Sequence, residues 1–329
     1  MPLGEFTLIE RYFGQPAEAM LRSRGDVLLG IGDDAAVLGL PPGRQLVAAL
    51  DSLVEGRHFP VGSAPRSIGH RALAVNLSDL AAMGAEPAWF LLALTVPAAD
   101  ESFLEPFARG VLELAAVHGV ALVGGDTTAG PLSVSVQALG FIEPGQALRR
   151  GGGAPGDLLY VSGTPGDSTA GLKLAMQVEA GANLANAQRQ YLLDRFHFPE
   201  PRVALGRALR GIASACIDVS DGLAADAGKL AAASGCGVTL EVERLPISAS
   251  LRALAGEGAA RLALGGGEDY ELCFTVSRAQ VPALEAAADN VKCQVTRIGK
   301  LDASGDVTVS EYGKRWDFDA RGFDHFSSG

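Results

Sequence analysis

From Val27 to Phe141, short apolar runs alternate with longer stretches of helical periodicity, the pattern of a layered α/β (α+β) fold in which strands and helices share one core. Gln45–Leu50, Trp89–Val96, Val120–Val123 and Leu132–Phe141 read as strands. In the last of these, Leu132, Val134 and Val136 alternate with Ser133, Ser135 and Gln137, so one face is polar. Pro65–Met83 and Glu101–His118 read as helices. On the first helix Asn76, Asp79 and Met83 recur at spacings of three and four, which puts Asp79 and Asn76 on a face that can look into a site. The segment RRGGGAPG at 149–156 has three consecutive glycines, a proline and no apolar periodicity, and it reads as a linker. Two domains are therefore expected, residues 1–150 and 151–329, each within the usual size of about 100–200 residues. Past the linker, Asp157–Ser162 starts a strand and Thr164–Ala175 gives a turn and a helix. Cys216–Val219 runs as a strand into Ser220, the expected N-cap of a helix through Ala233. Tyr270–Val276 and Val291–Ile298 are further strands.

Aspartates set among small residues recur in six stretches: GIGDDAAV at 30–37, ALDS at 49–52, NLSDLAAMGA at 76–85, GGDTT at 124–128, DVSDG at 218–222 and GGEDYEL at 266–272. A carboxylate beside glycine can reach a hard cation unobstructed, and magnesium binds through one or two carboxylates, waters and the phosphates of a nucleotide. Any one stretch also reads as turn chemistry or a helix cap. Six together point to several ions around one polyphosphate. Adjacent Asp33 and Asp34 would point to opposite sides of an extended backbone. GGDTT stands at the end of an expected strand, where α/β ligand sites lie. DVSDG stands at a helix start, where N–H groups attract phosphate, with Asp218 and Asp221 spaced to serve neighbouring ions. His58 suits an anion or acid–base role, and Arg150 suits a phosphate; either is equally at home on a solvated surface.

Acids number 38 against 27 lysines and arginines, a net charge of −11, so the chain should repel nucleic acid and anionic membrane surfaces and needs cations to handle ATP. There is no G-x-x-x-x-G-K-[ST] loop, GTPGDSTAGLK at 163–173 being the nearest approach, and no H-R-D or D-F-G set. Lysine falls outside every acidic motif. Metals, arginine and backbone N–H groups are left to neutralise phosphate, with no covalent nucleophile expected. The apolar run Trp89–Ala99 is shorter than the roughly 20 residues of a membrane span, and Glu5 and Glu10 interrupt any signal-like start, so a cytoplasmic protein is expected. Cys216, Cys236, Cys273 and Cys293 have no zinc-site spacing and read as free thiols.

With these residues in hand, the chain resembles the thiamine-monophosphate kinase family, of the superfamily that includes aminoimidazole ribonucleotide synthetase, selenophosphate synthetase and a hydrogenase maturation factor. The markers are GEFTLIERYF at 4–13, GIGDDAAVL at 30–38, LVEGRHF at 53–59, ALAVNLSDLAAMGAEPAW at 72–89, GGDTTAGPL at 124–132, PGD at 155–157, SGTPGDSTAGL at 162–172, DVSDGL at 218–223, GGEDYELCF at 266–274 and GFDHF at 322–326. The resemblance implies ATP-dependent conversion of thiamine monophosphate to thiamine diphosphate by direct transfer with several magnesium ions, in a homodimer whose N-terminal domains pair their strands. The apolar run Trp89–Val96, more than one small domain is expected to cover, agrees with pairing. On matching positions, the resemblance implies Asp33, Asp51, Asp79, Asp126, Asp218 and Asp221 as metal ligands. Gly125, Asp126, Arg150 and Ser220 would contact ATP, and His58, Glu268 and Phe323 would contact thiamine monophosphate. The family usually has hydroxyl residues just before the aspartate at 51, where this chain has Ala49 and Leu50, so the ion there is left with main-chain carbonyls such as that of Leu50. The alternatives are another ATP-using member of the superfamily, and a nucleotide-binding regulator that has lost catalysis.

Overall fold

A computed structural model describes residues 5–178, 184–320 and 322. Two compact units emerge, Met1–Leu80 with Ala85–Gly145, and Ala81–Gly84 with Gln146–Gly329.

The first unit runs α1 (Glu5–Ile9), a π-helical turn (Glu10–Gly14), α2 (Gln15–Ser23), β1 (Val27–Leu29), β2 (Val37–Leu38), β3 (Gln45–Val54), α3 (Pro65–Ala82), β4 (Glu86–Val96), α4 (Glu101–His118), β5 (Ala121–Ala129) and β6 (Ser133–Ile142). Its main sheet has the order β3-β6-β4-β5, with β4 and β5 parallel and the other pairs antiparallel. The alternation read in β6 decides its burial: Val134, Val136 and Ala138 are buried, and Gly140 on the same face lies against Leu80 of α3. Helix α4 begins where the Asp100 side chain accepts from the Ser102 N–H and ends at the left-handed Gly119. Contrary to the expectation for Trp89–Val96, this run is covered within its own unit: Trp89, Phe90, Leu92, Leu94 and Val96 are all buried, because β4 lies between β6 and β5. The apolar strand left exposed is β3, with Leu46, Leu50 and Val54 on the surface and a ladder on one side only.

The strand expected to stop at Val123 instead continues through GGDTT. Between Phe90 and Leu91 the register steps from Leu122 to Gly124, a bulge, and the pairing then resumes to Ala129. Gly125 allows it, since a Cβ there would fall 1.9 Å from the Leu92 carbonyl oxygen.

The second unit runs β7 (Leu158–Ser162), α5 (Asp167–Ala175), α6 (Asn186–His197), α7 (Val203–Ala208), β8 (Ala215–Asp218), α8 (Leu223–Ala233), β9 (Gly237–Glu241), α9 (Ala249–Ala255), α10 (Ala259–Gly265), β10 (Leu272–Val276), α11 (Val281–Asn290), β11 (Val295–Asp302), β12 (Val307–Glu311) and β13 (Lys314–Arg315). Seven strands form one sheet in the order β13-β12-β9-β11-β7-β10-β8, in which only β12 and β9 are parallel. Its core joins Leu159, Val161, Ile217 and Cys273 of the strands to Ala224, Ala227 and Leu230 of α8 and Leu264 of α10. The segment 149–156, read as a linker, is in fact pinned to this unit. A Cβ on Gly151 would meet the Ala233 carbonyl oxygen at 2.5 Å, one on Gly152 the Ser214 oxygen at 2.5 Å, and one on Gly153 the Leu301 side chain at 2.5 Å. The glycines serve close packing there, with Gly153 N–H donating to Ser234 Oγ.

Candidate functional site

In the first unit a cavity of about 990 Å³ is walled by the turn residues Glu10 and Phe13, by Gly30–Ala36 between β1 and β2, and by Leu122–Thr127 of β5. Two of the six acidic motifs, almost a hundred residues apart in the chain, thus face one space. Asp33 and Asp126 both contribute to its wall, as does Gly125. Asp34 does too: the backbone bends at Asp34–Ala35, the Asp34 N–H donates to Asp33 Oδ1 at 2.8 Å, and both aspartates border the same cavity. Glu10 was not singled out from sequence as a site residue. It sits in the π-helical turn, a conformation common at functional sites but carrying no sequence signature. Four acidic side chains around one cavity favour a cationic or cation-carrying occupant.

A second cluster forms where β3 meets α3. The buried Asn76 accepts the Asp51 N–H at 3.0 Å through Oδ1 and donates to the Ala72 carbonyl, tying the strand to the helix. Asp79, one helical turn further along and partly exposed, shares that face with Asn76. In the β3–β6 register Asp51 faces the buried Val136 side, while Leu50 pairs with Gln137 and turns its side chain to solvent. Past β3, His58 accepts the Val54 N–H on Nδ1 at 3.0 Å, which leaves the neutral ring's proton on Nε2, a donor suited to an anion.

The second unit carries Arg150, Asp218, Ser220, Asp221 and Glu268; the 268 main chain meets Ser220, whereas the Arg150 carbonyl accepts from Ser234 Oγ at the far end of α8. Asp218 is buried at the end of β8, and Arg150 is exposed. Ser220 does not cap the following helix. The N-cap is Gly222, in a conformation open to glycine at φ 117°, and the Ser220 and Asp221 N–H groups both donate to Asp226 Oδ2, at 3.0 and 2.9 Å. Those two amides are therefore taken, which removes them from the phosphate-binding role read at this helix start. Lys229 bridges Asp226 at 2.8 Å and Asp221 at 2.5 Å, and burial pushes the Asp226 carboxyl up from its ordinary value against the pull of Lys229. Glu268 stands in the left-handed region at φ 68°, its N–H bonded to the Ser220 carbonyl at 2.9 Å and its Oε2 accepting from the Tyr270 hydroxyl at 3.0 Å. The 266–270 turn thus touches the Val219–Ser220 segment through main chain. Phe323 lies outside the described residues; Gly322, just before it, is so close to α8 that a Cβ would meet that of Ala225 at 2.7 Å and that of Asp221 at 3.1 Å.

Among the described residues no three of His, Cys, Asp and Glu lie close enough to hold a metal ion by themselves. In the first unit Asp33 and Asp126 line one cavity, and in the second Asp218 and Asp221 lie three residues apart in the chain, with Asp221 held by Lys229. Magnesium needs only one or two carboxylates when phosphates and water complete its six oxygens, so these donors fit an ion that arrives with a nucleotide.

Two family models match the chain, the N-terminal domain of AIR synthase related protein over residues 32–142 and its C-terminal domain over 154–311. The thiamine-monophosphate kinase of Salmonella typhimurium (strain LT2) is 46% identical over 330 residues, spanning 100% of both chains. Among solved structures, the thiamine-monophosphate kinase of Stenotrophomonas maltophilia K279a superposes with a TM-score of 0.86 at 46% identity, over 96% of this chain and 99% of that one. AaThiL complexed with AMPPCP and TMP superposes with a TM-score of 0.76 at 32% identity, over 98% and 97%.

Proposed function

Because this chain belongs to the thiamine-monophosphate kinase family of AIR synthase related proteins, we propose that it transfers the γ-phosphoryl group of ATP to thiamine monophosphate, giving thiamine diphosphate and ADP. The observation that carries the reading is the meeting of GIGDD and GGDT at one acid-walled cavity, which suits a polyphosphate brought in with magnesium. The attacking oxygen of thiamine monophosphate is already ionised near neutral pH, so no strong base is needed. It attacks the γ-phosphorus in line as the bond to the β,γ-bridging oxygen breaks. Several magnesium ions, when bound, screen the two phosphates from one another and stabilise the charge that develops.

The roles proposed for the chain's own residues are those that the family resemblance implies. Asp33, Asp51, Asp79, Asp126, Asp218 and Asp221, with the Leu50 carbonyl, would hold the ions. Gly125 brings main chain close to the nucleotide, and Arg150 and Ser220 contact its phosphates. His58 donates from Nε2 to the thiamine phosphate group, Glu268 addresses the polar part of thiamine and Phe323 its aromatic part. Holding both reactants aligned supplies much of the rate, and no side chain acts as a covalent relay.

A homodimer through β3 belongs to the same proposal. Leu46 and Leu50 are 51% and 63% exposed on an edge strand whose second side has no ladder in the sheet order, a surface suited to the matching strand of another copy. Sedimentation showing monomer alone at micromolar concentration would remove it. The cytoplasm is the proposed compartment, since both substrates are charged small molecules; among the described residues no helix is long and apolar enough to cross a membrane. The deciding assay mixes purified protein with ATP, magnesium and thiamine monophosphate and follows thiamine diphosphate. Its absence, with ATP still bound, would overturn the kinase reading.

A further inference from the structure

The segment SGTPGDSTAGL at 162–172 resembles a phosphate loop in composition, yet its backbone is committed inward. Asp269, fully buried, accepts the Gly166 N–H at 2.7 Å on Oδ2 and the Ser168 N–H at 3.1 Å on Oδ1, filling the N-terminus of α5. Thr169 Oγ1 donates to the Gly267 carbonyl at 2.9 Å. Gly163 is held against Glu271, where a Cβ would fall 2.1 Å from Oε1, and Glu271 in turn accepts from Ser162, Arg195 and Arg202. The loop is a socket for the side chains at 269 and 271.

Glu268 and Tyr270 flank Asp269, and both hold the left-handed conformation that non-glycine residues rarely take, at φ 68° and 54°. Such backbone persists only where its surroundings over-determine it, and it gathers at functional sites. Here the determinants are visible. Main-chain bonds from the 268 and 270 N–H groups reach the Ser220 and Val219 carbonyls on one side, and the Asp269 side chain reaches α5 on the other. We infer that Asp269, plugged into the start of α5, is a positioning residue that fixes the Glu268 carboxylate for thiamine monophosphate. This rests on the proposed contact of Glu268 with that substrate.

The test compares Glu268→Gln, Asp269→Asn and the double variant by steady-state kinetics for each substrate, with melting curves. Asp269→Asn turns one acceptor into a donor facing an N–H group. It should raise KM for thiamine monophosphate about tenfold, leave KM for ATP within about twofold, and add little to Glu268→Gln in the double variant. Additive effects, or equal loss for both substrates, would make Asp269 a mere fold anchor. A rise in Glu268→Gln with none in Asp269→Asn would overturn the inference and leave the Glu268 contact standing. A silent Glu268→Gln would remove that contact itself, and the inference with it. Should Asp269→Asn fail to fold, the near-isosteric Thr169→Val loosens the same turn through Gly267. It is expected to raise the thiamine monophosphate constant about threefold, and an unchanged constant in a stable Thr169→Val protein would overturn the inference.

Discussion

The carboxylates of the two units are spelled alike in sequence and live differently. In the first unit Asp33, Asp34, Asp51 and Asp126 are exposed, three of them at a cavity wall and Asp51 on the edge strand β3, where a cation can reach them. In the second, Asp167, Asp226, Asp269 and Glu271 are buried beneath donors: hydroxyls on Asp167, amides on Asp226 and Asp269, and two guanidinium groups on Glu271. An acid beside glycine therefore announces a tight backbone approach, and only the donors already present decide whether it waits for a ligand or bolts the fold.

The strongest way to break this contrast is Glu271→Ala. It takes from Arg195 its ion-pair carboxylate and leaves Arg202 only Glu200, with both guanidinium groups largely buried, and it should cost about 3–5 kcal/mol of stability, read by urea unfolding. Burial alone would push Glu271 up, but Arg202, Arg195 and Ser162 hold its carboxyl below its ordinary value of 4.5. A depressed folded value means that its contribution is full above the unfolded value and fades as pH falls through the folded one. Glu271→Gln should thus flatten the acid limb of stability below pH 4.5 and leave the slope at neutral pH alone. For Asp269 burial raises the carboxyl and sets the opposite sign: its contribution is full below the unfolded value and fades as pH rises through the folded one.

The mirror experiment is Asp126→Asn in the first unit. With its side chain exposed, the melting temperature should stay put, while turnover falls on the order of a hundredfold, a loss of about 2.8 kcal/mol in transition-state stabilisation. Asp79→Asn and Asp218→Asn should lose activity similarly. Wild-type turnover in Asp126→Asn at ordinary magnesium would erase the distinction between waiting and bolted acids.

Long, strongly periodic elements were legible: α3 and α4 begin where the helical pattern does, and β3, β4 and β6 follow the apolar runs. The misses have physical causes. Glycine is used both to loosen and to pack closely, and the letters GGG at 151–153 cannot separate the two; here Ala233, Ser214 and Leu301 settle it. Ser220 looks like a cap until Asp226, six residues on, takes the amides first. The short strands β9 and β12 owe their pairing with β11 and with one another to partners distant in sequence, which no local window contains. The acidic motifs were visible as a set, but which of them share a cavity is a property of the fold.

The smallest expected effect tests where the contrast ends, at the tail that follows Gly322. Gly322 packs flat on Asp221 and Ala225, while Trp316 stacks on Phe318 with ring centroids 5.9 Å apart and lies under the Arg261 guanidinium at 4.5 Å. The tail before Phe323 is thus fastened beside the loop of Ser220 and Asp221, which agrees with the proposed contact between Phe323 and the cationic thiazolium ring. An aromatic contact of that kind is worth about 0.5–2 kcal/mol. Phe323→Ala should raise the Michaelis constant for thiamine monophosphate about tenfold, roughly 1.4 kcal/mol, and leave that for ATP little changed. A core anchor would behave otherwise, lowering the melting temperature and impairing both substrates together. If stability and the thiamine monophosphate constant both hold at wild-type values, Phe323 does not touch the substrate, and recognition of the aromatic part falls to residues of the 266–270 turn and its surroundings.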